Sequence, residues 1–344
     1  MDVVRTRAVV FHSPDDLRLE TVSLPAPGPG GLLVRIRACG LCPGEAMDWY
    51  MARKAPLVLG HEPVGEVVAC GAAVREFAPG DRVFVHHHAP CLRCRACRRG
   101  DYVHCATWRR TRLIPGGLAQ FAVVPEEIVA GDTLLVPEEV SDEAATFIEP
   151  LATVVKSIRR GRLRAGDRIL IIGLGVMGLL HVMLARRLGA GEIFAADRVP
   201  RRLASAREAG ADHVIDVRET PPAQVVRDVT AGEGADVVIV GPGSIEAIQA
   251  GFEAAAPGGT LVLFTPTEPE ARWMLPVHDA YFREVSVVPS YSCGPADTRE
   301  ALALIRGGMP VETLVTHRLP LDEAPEGYRL VREAADALKV VVRP

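Results

Sequence analysis

The chain has 344 residues, 48% hydrophobic and 24% charged, with a formal net charge of −4 at pH 7. That length exceeds one ordinary core and predicts two domains. The mildly acidic balance gives no global attraction to nucleic acid or anionic lipid. No apolar run approaches the roughly 20 residues of a membrane helix, and the amino terminus lacks a signal peptide's apolar block, so a cytoplasmic protein is expected.

In chain order, residues 1 to about 150 read as short strands broken by glycine and proline. The opening alternation is followed by 32–38 (LLVRIRA), 64–69 (VGEVVA) and 82–86 (RVFVH), with turns at Pro27-Gly28-Pro29-Gly30 and Pro79-Gly80-Asp81. From about 151 the pattern changes to strands alternating with helices. Ile169–Ile172 is an apolar strand followed by a glycine turn and a helix to about Leu188; strands at 192–196, 236–240 and 260–265 follow. This alternation predicts a parallel sheet covered by helices on both faces, an α/β domain. The tail carries a helix near 297–307 and a last strand over Leu338–Val342.

Four of the eight cysteines, Cys91, Cys94, Cys97 and Cys105, are spaced C-x2-C-x2-C-x7-C. Thiolates at this spacing close a tetrahedral shell around zinc with no open position, which marks a structural site. Gly173-Leu174-Gly175-Val176-Met177-Gly178 directly follows the strand RILII and opens a helix. In that context Gly173 makes the turn, Gly175 admits a pyrophosphate and Gly178 lets helix and strand approach closely. The helix start at Val176 and Met177 adds a favourable dipole. Asp197 follows 19 residues after Gly178, where a carboxylate binds the adenosine ribose; this favours NAD over NADP. Arg198, Arg201 and Arg202 stand close by and could grip the extra phosphate of NADP.

Upstream lie Cys42 and the triplet Gly60-His61-Glu62, a thiolate, an imidazole and a carboxylate suited to an open catalytic zinc site. GHEPVGEVVACGAAVREFAPGDRV, the cysteine lobe, IEPLAT and GLGVMG occur in one order. In that order the chain resembles the zinc-dependent medium-chain dehydrogenases, the alcohol, polyol and threonine dehydrogenase family. The resemblance implies a GroES-like, partly open β-barrel catalytic domain over 1–153 and 290–344, and a Rossmann doubly wound parallel-sheet coenzyme domain over 154–289. It implies Cys42, His61 and Glu149 as catalytic zinc ligands. Glu62 is a direct ligand or one that exchanges with water. It further implies that Thr153 touches the nicotinamide and that Lys339 reaches the coenzyme phosphates. Two zinc ions per subunit and NAD are the implied cofactors. Homodimers or homotetramers joined through a strand near Val285–Pro289 are the implied assembly. The remaining cysteines, Cys39, Cys70 and Cys293, read as small buried hydrophobes.

The expected reaction is hydride transfer between a polar secondary alcohol of polyol, cyclitol or amino-alcohol type and NAD, giving the ketone. The family's proton relay begins with Ser or Thr two residues after the zinc cysteine and ends on a His three residues further. Here those positions hold Gly44 and Met47, which cannot pass a proton. Glu45 stands where the family has an Asp that orients the zinc histidine. The proton is therefore expected to leave through Glu62 and a bound water, or through the run His86-His87-His88. The resemblance implies that His87, four residues before Cys91, lines the substrate pocket, and an imidazole there is suited to acid–base work. Asp48, Trp49 and Tyr50 are expected to help wall that pocket. The altered relay keeps a second outcome open on the same fold, transient oxidation followed by elimination or epimerisation. Seven arginines (93, 95, 98, 99, 109, 110 and 112) crowd the cysteine lobe. They read as a solvated basic surface rather than a nucleic-acid-binding zinc ribbon, because aromatic residues are sparse there.

Overall fold

A computed structural model describes residues 4–334 and 336–344. The described residues of Met1–Ala152 and Cys293–Pro344 form one compact unit, and Thr153–Ser292 forms the other.

The second unit is built on six parallel strands. Their spatial order is His213–Asp216, Glu192–Asp197, Arg168–Ile172, Ala235–Val240, Ala255–Leu263 and Ser286–Pro289. Numbered along the chain this is 3-2-1-4-5-6, the doubly wound order in which ligands bind where the order reverses. Continuous apolar runs are what such strands need, since both faces are covered. Ile169–Ile171 and Val237–Val240 are almost wholly buried, and each such side chain contributes roughly 1.5–3 kcal/mol. The strand expected at 260–265 begins earlier, at Ala255, and its pairing slips once around Pro257-Gly258-Gly259.

The first unit holds a seven-stranded and a three-stranded sheet. In the larger, Leu32–Gly40 is central, pairing antiparallel with Glu62–Cys70, Phe121–Val124 and Lys339–Arg343. Its alternation buries Val34 and Ile36 and exposes Arg35 and Arg37. Two elements had no clear sequence signal: the strand Phe121–Val124 and the helix Ala324–Glu333. The cysteine lobe has its own small core of Cys97, Val103, Cys105 and Trp108. Among the described residues, no helix is long and apolar enough to cross a membrane.

Candidate active site

The four lobe cysteines bring their sulfurs within 4.8 Å of one another, and none is in a disulfide. Cys94 and Cys97 are 3.5 Å apart and Cys91 and Cys97 4.0 Å. A tetrahedron with zinc–sulfur bonds of about 2.3 Å has edges of about 3.8 Å, so the cage fits zinc. Burial pushes the Cys105 thiol up, but the N–H groups of Cys91, Trp108 and Thr107 outweigh it and bring the pKa to about 6. Cys97, buried among the other sulfurs, is pushed up to about 12. The surrounding arginines are largely turned onto the lobe itself. Arg98 donates to Arg93 O, Arg99 pairs with Asp101, and Arg112 donates to the carbonyls of Arg109 and Thr111.

Cys42 ends the crossing from the central strand and caps the short turn Pro43–Ala46, its Sγ accepting from Gly44 N at 3.4 Å. His61 leads into Glu62–Cys70, the neighbouring strand. The ligand atoms of Cys42, His61 and Glu62 all lie within 4.8 Å of one another. Glu45, from the turn after Cys42, holds His61 Nδ1 at 2.9 Å and Gly60 N at 3.0 Å, and accepts from the Tyr328 hydroxyl. Because an ionised carboxylate only accepts, Nδ1 carries the proton and Nε2 presents its lone pair. Burial raises the Glu45 pKa, but His61, Tyr328 and Gly60 N together hold it below the ordinary range. The donor set is a borderline-soft mixture of S, N and O, which suits zinc.

Beside it, Glu62 forms a buried ion pair with Lys339, whose Nζ also reaches Leu41 O at 3.4 Å. Both side chains are at most 1% exposed. Gly40 makes room: a Cβ there would stand 2.7 Å from Lys339 Nζ.

In the other unit the glycine turn has the shape its spacing predicts. Gly173 has φ +88°, which a side chain would strain. A Cβ on Gly178 would lie 1.9 Å from Gly173 O, whereas nothing lies within 4 Å of one on Gly175. Asp197 Oδ2 accepts from Leu174 N at 2.6 Å, and Oδ1 from Arg198 N at 2.7 Å and Val199 N at 2.9 Å. Arg202 lies 3.8 Å from the same carboxylate, and the Arg198 side chain is exposed.

Residues 28–133 match the alcohol dehydrogenase GroES-like domain family, and 176–307 match the zinc-binding dehydrogenase family. Sorbitol dehydrogenase of Ovis aries is 31% identical over 98% of this chain and 96% of its own. Erythritol/L-threitol dehydrogenase of Mycolicibacterium smegmatis is 29% identical over 99% and 98%. The crystal structure of a zinc-binding dehydrogenase from Sinorhizobium meliloti 1021, bound to NADP, superposes with a TM-score of 0.87. It is 30% identical, over 99% of this chain and 100% of that one. The chain belongs to the zinc-dependent medium-chain dehydrogenase family. It is an enzyme of the alcohol dehydrogenase type, with the GroES-like and Rossmann-type α/β architecture of that family.

Several residues that the resemblance singles out in this dehydrogenase have buried partners of their own. The Lys339 side chain is fully buried and forms an ion pair with Glu62. Glu149 has its carboxylate within 4.8 Å of the ligand atoms of His86 and Cys293, and within electrostatic reach of His61, Glu62 and Lys339. Burial holds Glu149 above the ordinary carboxylate range, against the pull of positive charge at His61, His86 and Lys339.

The histidine run does not alternate between interior and solvent. The strand ends at Val85; His86 and His88 are buried and His87 half-buried. The His87 ring lies 4.8 Å from that of His61 and 4.1 Å from that of His88, and its Nδ1 is buried without a hydrogen bond. Burial, followed by the proximity of His88, His61, His86 and the Arg112 guanidinium, pushes its pKa well down. It is therefore a neutral imidazole and a weak base, not the well-matched acid–base group its position suggests. Asp48 is exposed and pairs with Arg332 at 3.3 Å. Thr153 is half-buried on the helix Ile148–Gly161.

Tyr328 and Asp132 escaped the sequence reading. Nothing local marks Tyr328 apart from the chain's other tyrosines, and Asp132 closes a surface-looking segment, EEIVAGD, yet is fully buried.

Proposed function

We propose that this enzyme oxidises a polar secondary alcohol of the polyol class to the ketone, delivering the hydride to NAD. The observation that carries this reading is the imidazole of His61, fixed through Glu45 and Tyr328 so that its free nitrogen faces Cys42 and Glu62. The named activities of the sorbitol and erythritol/L-threitol dehydrogenase relatives support the substrate class.

In this reading Cys42, His61 and Glu62 hold the catalytic zinc, and Cys91, Cys94, Cys97 and Cys105 hold a structural one. Bound zinc supplies a Lewis acid that lowers the pKa of a coordinated hydroxyl. Glu45 keeps the His61 tautomer and ring plane fixed. Lys339 offsets the charge of Glu62, so the donor set carries less net negative charge than its ligands alone imply. His87, neutral beside His61, accepts or donates a hydrogen bond to the substrate rather than storing a proton. Gly173, Gly175, Val176, Met177 and Gly178 cradle the coenzyme pyrophosphate, Thr153 contacts the nicotinamide, and Asp197 takes the ribose hydroxyls. Arg198 and Arg202 beside Asp197 make NADP the competing coenzyme, as the NADP-bound relative illustrates. Exposed Met274, Val277, Tyr281 and Phe282 beside the edge strand Ser286–Pro289 support a homodimer or homotetramer joined there.

The test is a coenzyme-coupled screen of sugar alcohols, cyclitols, amino alcohols and simple alcohols, with NAD and NADP, before and after chelation. Chelator-sensitive NADH formation with a polyol is expected. Turnover without net NADH points to elimination or epimerisation, and chelator-insensitive activity removes the metal from the mechanism.

A further inference from the structure

Two polar side chains of the second unit, Ser157 and His181, are sealed from solvent and have no part in the chemistry above. Ser157 is 0% exposed and His181 1%. His181 lies on the helix Val176–Arg187, which begins in the glycine turn. Among the described buried residues of that helix, it is the one with a polar side chain. A leucine there would serve helix-to-sheet packing without the cost of taking an imidazole out of water. Ser157 lies on the helix Ile148–Gly161, one turn after Thr153.

The imidazole joins three elements of the coenzyme unit. Its Nδ1 meets Met177 O, in the glycine turn, at 2.7 Å. A carbonyl only accepts, so Nδ1 carries the proton, and Nε2 of the neutral ring keeps its lone pair. Ser157 Oγ donates to that lone pair at 2.5 Å; the alternative acceptor, Val154 O, lies further off at 2.9 Å. Phe264, next after the strand Ala255–Leu263, meets the same ring edge to face at 4.8 Å and 88°. Residues four apart on a helix stand on one face, about 6 Å apart along its axis. Fixing Ser157 therefore fixes the rotation of its helix at Thr153, and the fixed point is referred to the glycine turn through Met177.

We propose that Ser157 and His181 are positioning residues for the coenzyme, their hydrogen bond holding Thr153 in register with the glycine turn so that nicotinamide and pyrophosphate are gripped together. The proposal rests on the reading of Thr153 and of the glycine turn given above, and is independent of the metal and of the substrate class.

Dissociation constants on wild type, Ser157→Ala and His181→Phe test it. NADH and NADPH are titrated by fluorescence, and ADP-ribose and its 2′-phosphate, which lack the nicotinamide, by calorimetry. Ser157→Ala removes the hydroxyl; His181→Phe keeps a ring against Phe264 and removes both hydrogen bonds. Each variant is expected to bind the reduced coenzyme at least about fivefold more weakly, the scale of one lost hydrogen bond. The matching nicotinamide-free ligand is expected to stay within about twofold, with zinc per chain unchanged. Equal binding of reduced coenzyme by all three proteins, or equal weakening of both ligands, overturns the proposal and marks the pair as a packing feature alone. A wild type that binds neither coenzyme removes the coenzyme reading and the proposal with it. A split between the two ligands supports the proposal even where no polyol is oxidised, so the two readings are decided separately.

Discussion

Replacing Lys339 by methionine keeps the length of the side chain and removes its charge from a site with 0% exposure. Glu62, 1% exposed, then keeps a carboxylate in the interior without its ammonium partner. Breaking a buried pair from one side costs about 3–5 kcal/mol, because the remaining charge is uncompensated. The ammonium group also faces the Phe147 ring, 5.5 Å from its centroid, so the substitution removes that contact as well. At about 2–4 °C per kcal/mol for a unit of this size, the expected fall in melting temperature is roughly 10 °C. Differential scanning calorimetry with every protein in a Cys42→Ser background, which leaves Glu62 without zinc while the cysteine cage stays filled, reads it, with the transition of the first unit followed by itself. Lys339→Met combined with Glu62→Gln removes both charges and is expected to recover more than half of the loss. The coupling between the two sites is then at least about 2 kcal/mol. Melting of Lys339→Met within about 2 °C of wild type, or strictly additive effects in the double variant, refutes the buried-pair argument.

The coenzyme unit carries an acid-sensitive group of its own in His181, held by Ser157 Oγ at 2.5 Å and Met177 O at 2.7 Å, with its pKa lowered by burial to about 4. The unfolded chain takes that proton near pH 6.5, so stability is full above 6.5, falls as pH drops toward 4 and levels below. The loss is on the order of 3 kcal/mol; His181→Gln should flatten the slope of unfolding free energy over that window, and an unchanged slope refutes the assignment. In the first unit Glu143 pairs with Arg318 at 2.7 Å and also with Arg343, and these partners hold its pKa below the ordinary value. That stabilisation is present above the unfolded pKa of about 4.3 and lost as pH falls through the lower folded value; Glu143→Gln should cost about 1 kcal/mol at pH 7 and nothing at pH 2, by urea denaturation. Gly178→Ala places a methyl group against Gly173 O and should raise the coenzyme KM at least tenfold with the metal content unchanged. Cys94→Ser should lower the zinc count by one and the melting temperature with it, while the kcat of the surviving folded enzyme stays within about twofold.

Much of this enzyme was legible in one dimension because the signals are local. The cysteine lobe is one short loop whose spacing already encodes a tetrahedral cage. The glycine turn lies between a strand and a helix that adjoin it in the chain, so Gly173 and Gly178 can be assigned by steric need alone. Apolar runs at 169–172 and 237–240 announced the parallel sheet, because burial on both faces leaves no polar alternation. Glu45 could be read as the partner of His61 because the turn after Cys42 carries it directly.

What only the tertiary structure decided depends on residues far apart in sequence. Lys339 meets Glu62 because two strands flank Gly40 and leave space for a long side chain; sequence gives a lysine no direction. His87 loses its basicity first to burial and then to its neighbours His88, His61, His86 and Arg112, surroundings that exist only once the chain has folded. Glu149 sits in a local motif, and the residues its carboxylate meets, His86 and Cys293, lie far along the chain, one of them more than 140 residues away. Residue type and spacing therefore determined the family, the coenzyme fold and the structural cage. Direction, charge compensation and ligand partnership were decided by long-range packing, because electrostatic energy depends on distances in space and not along the chain.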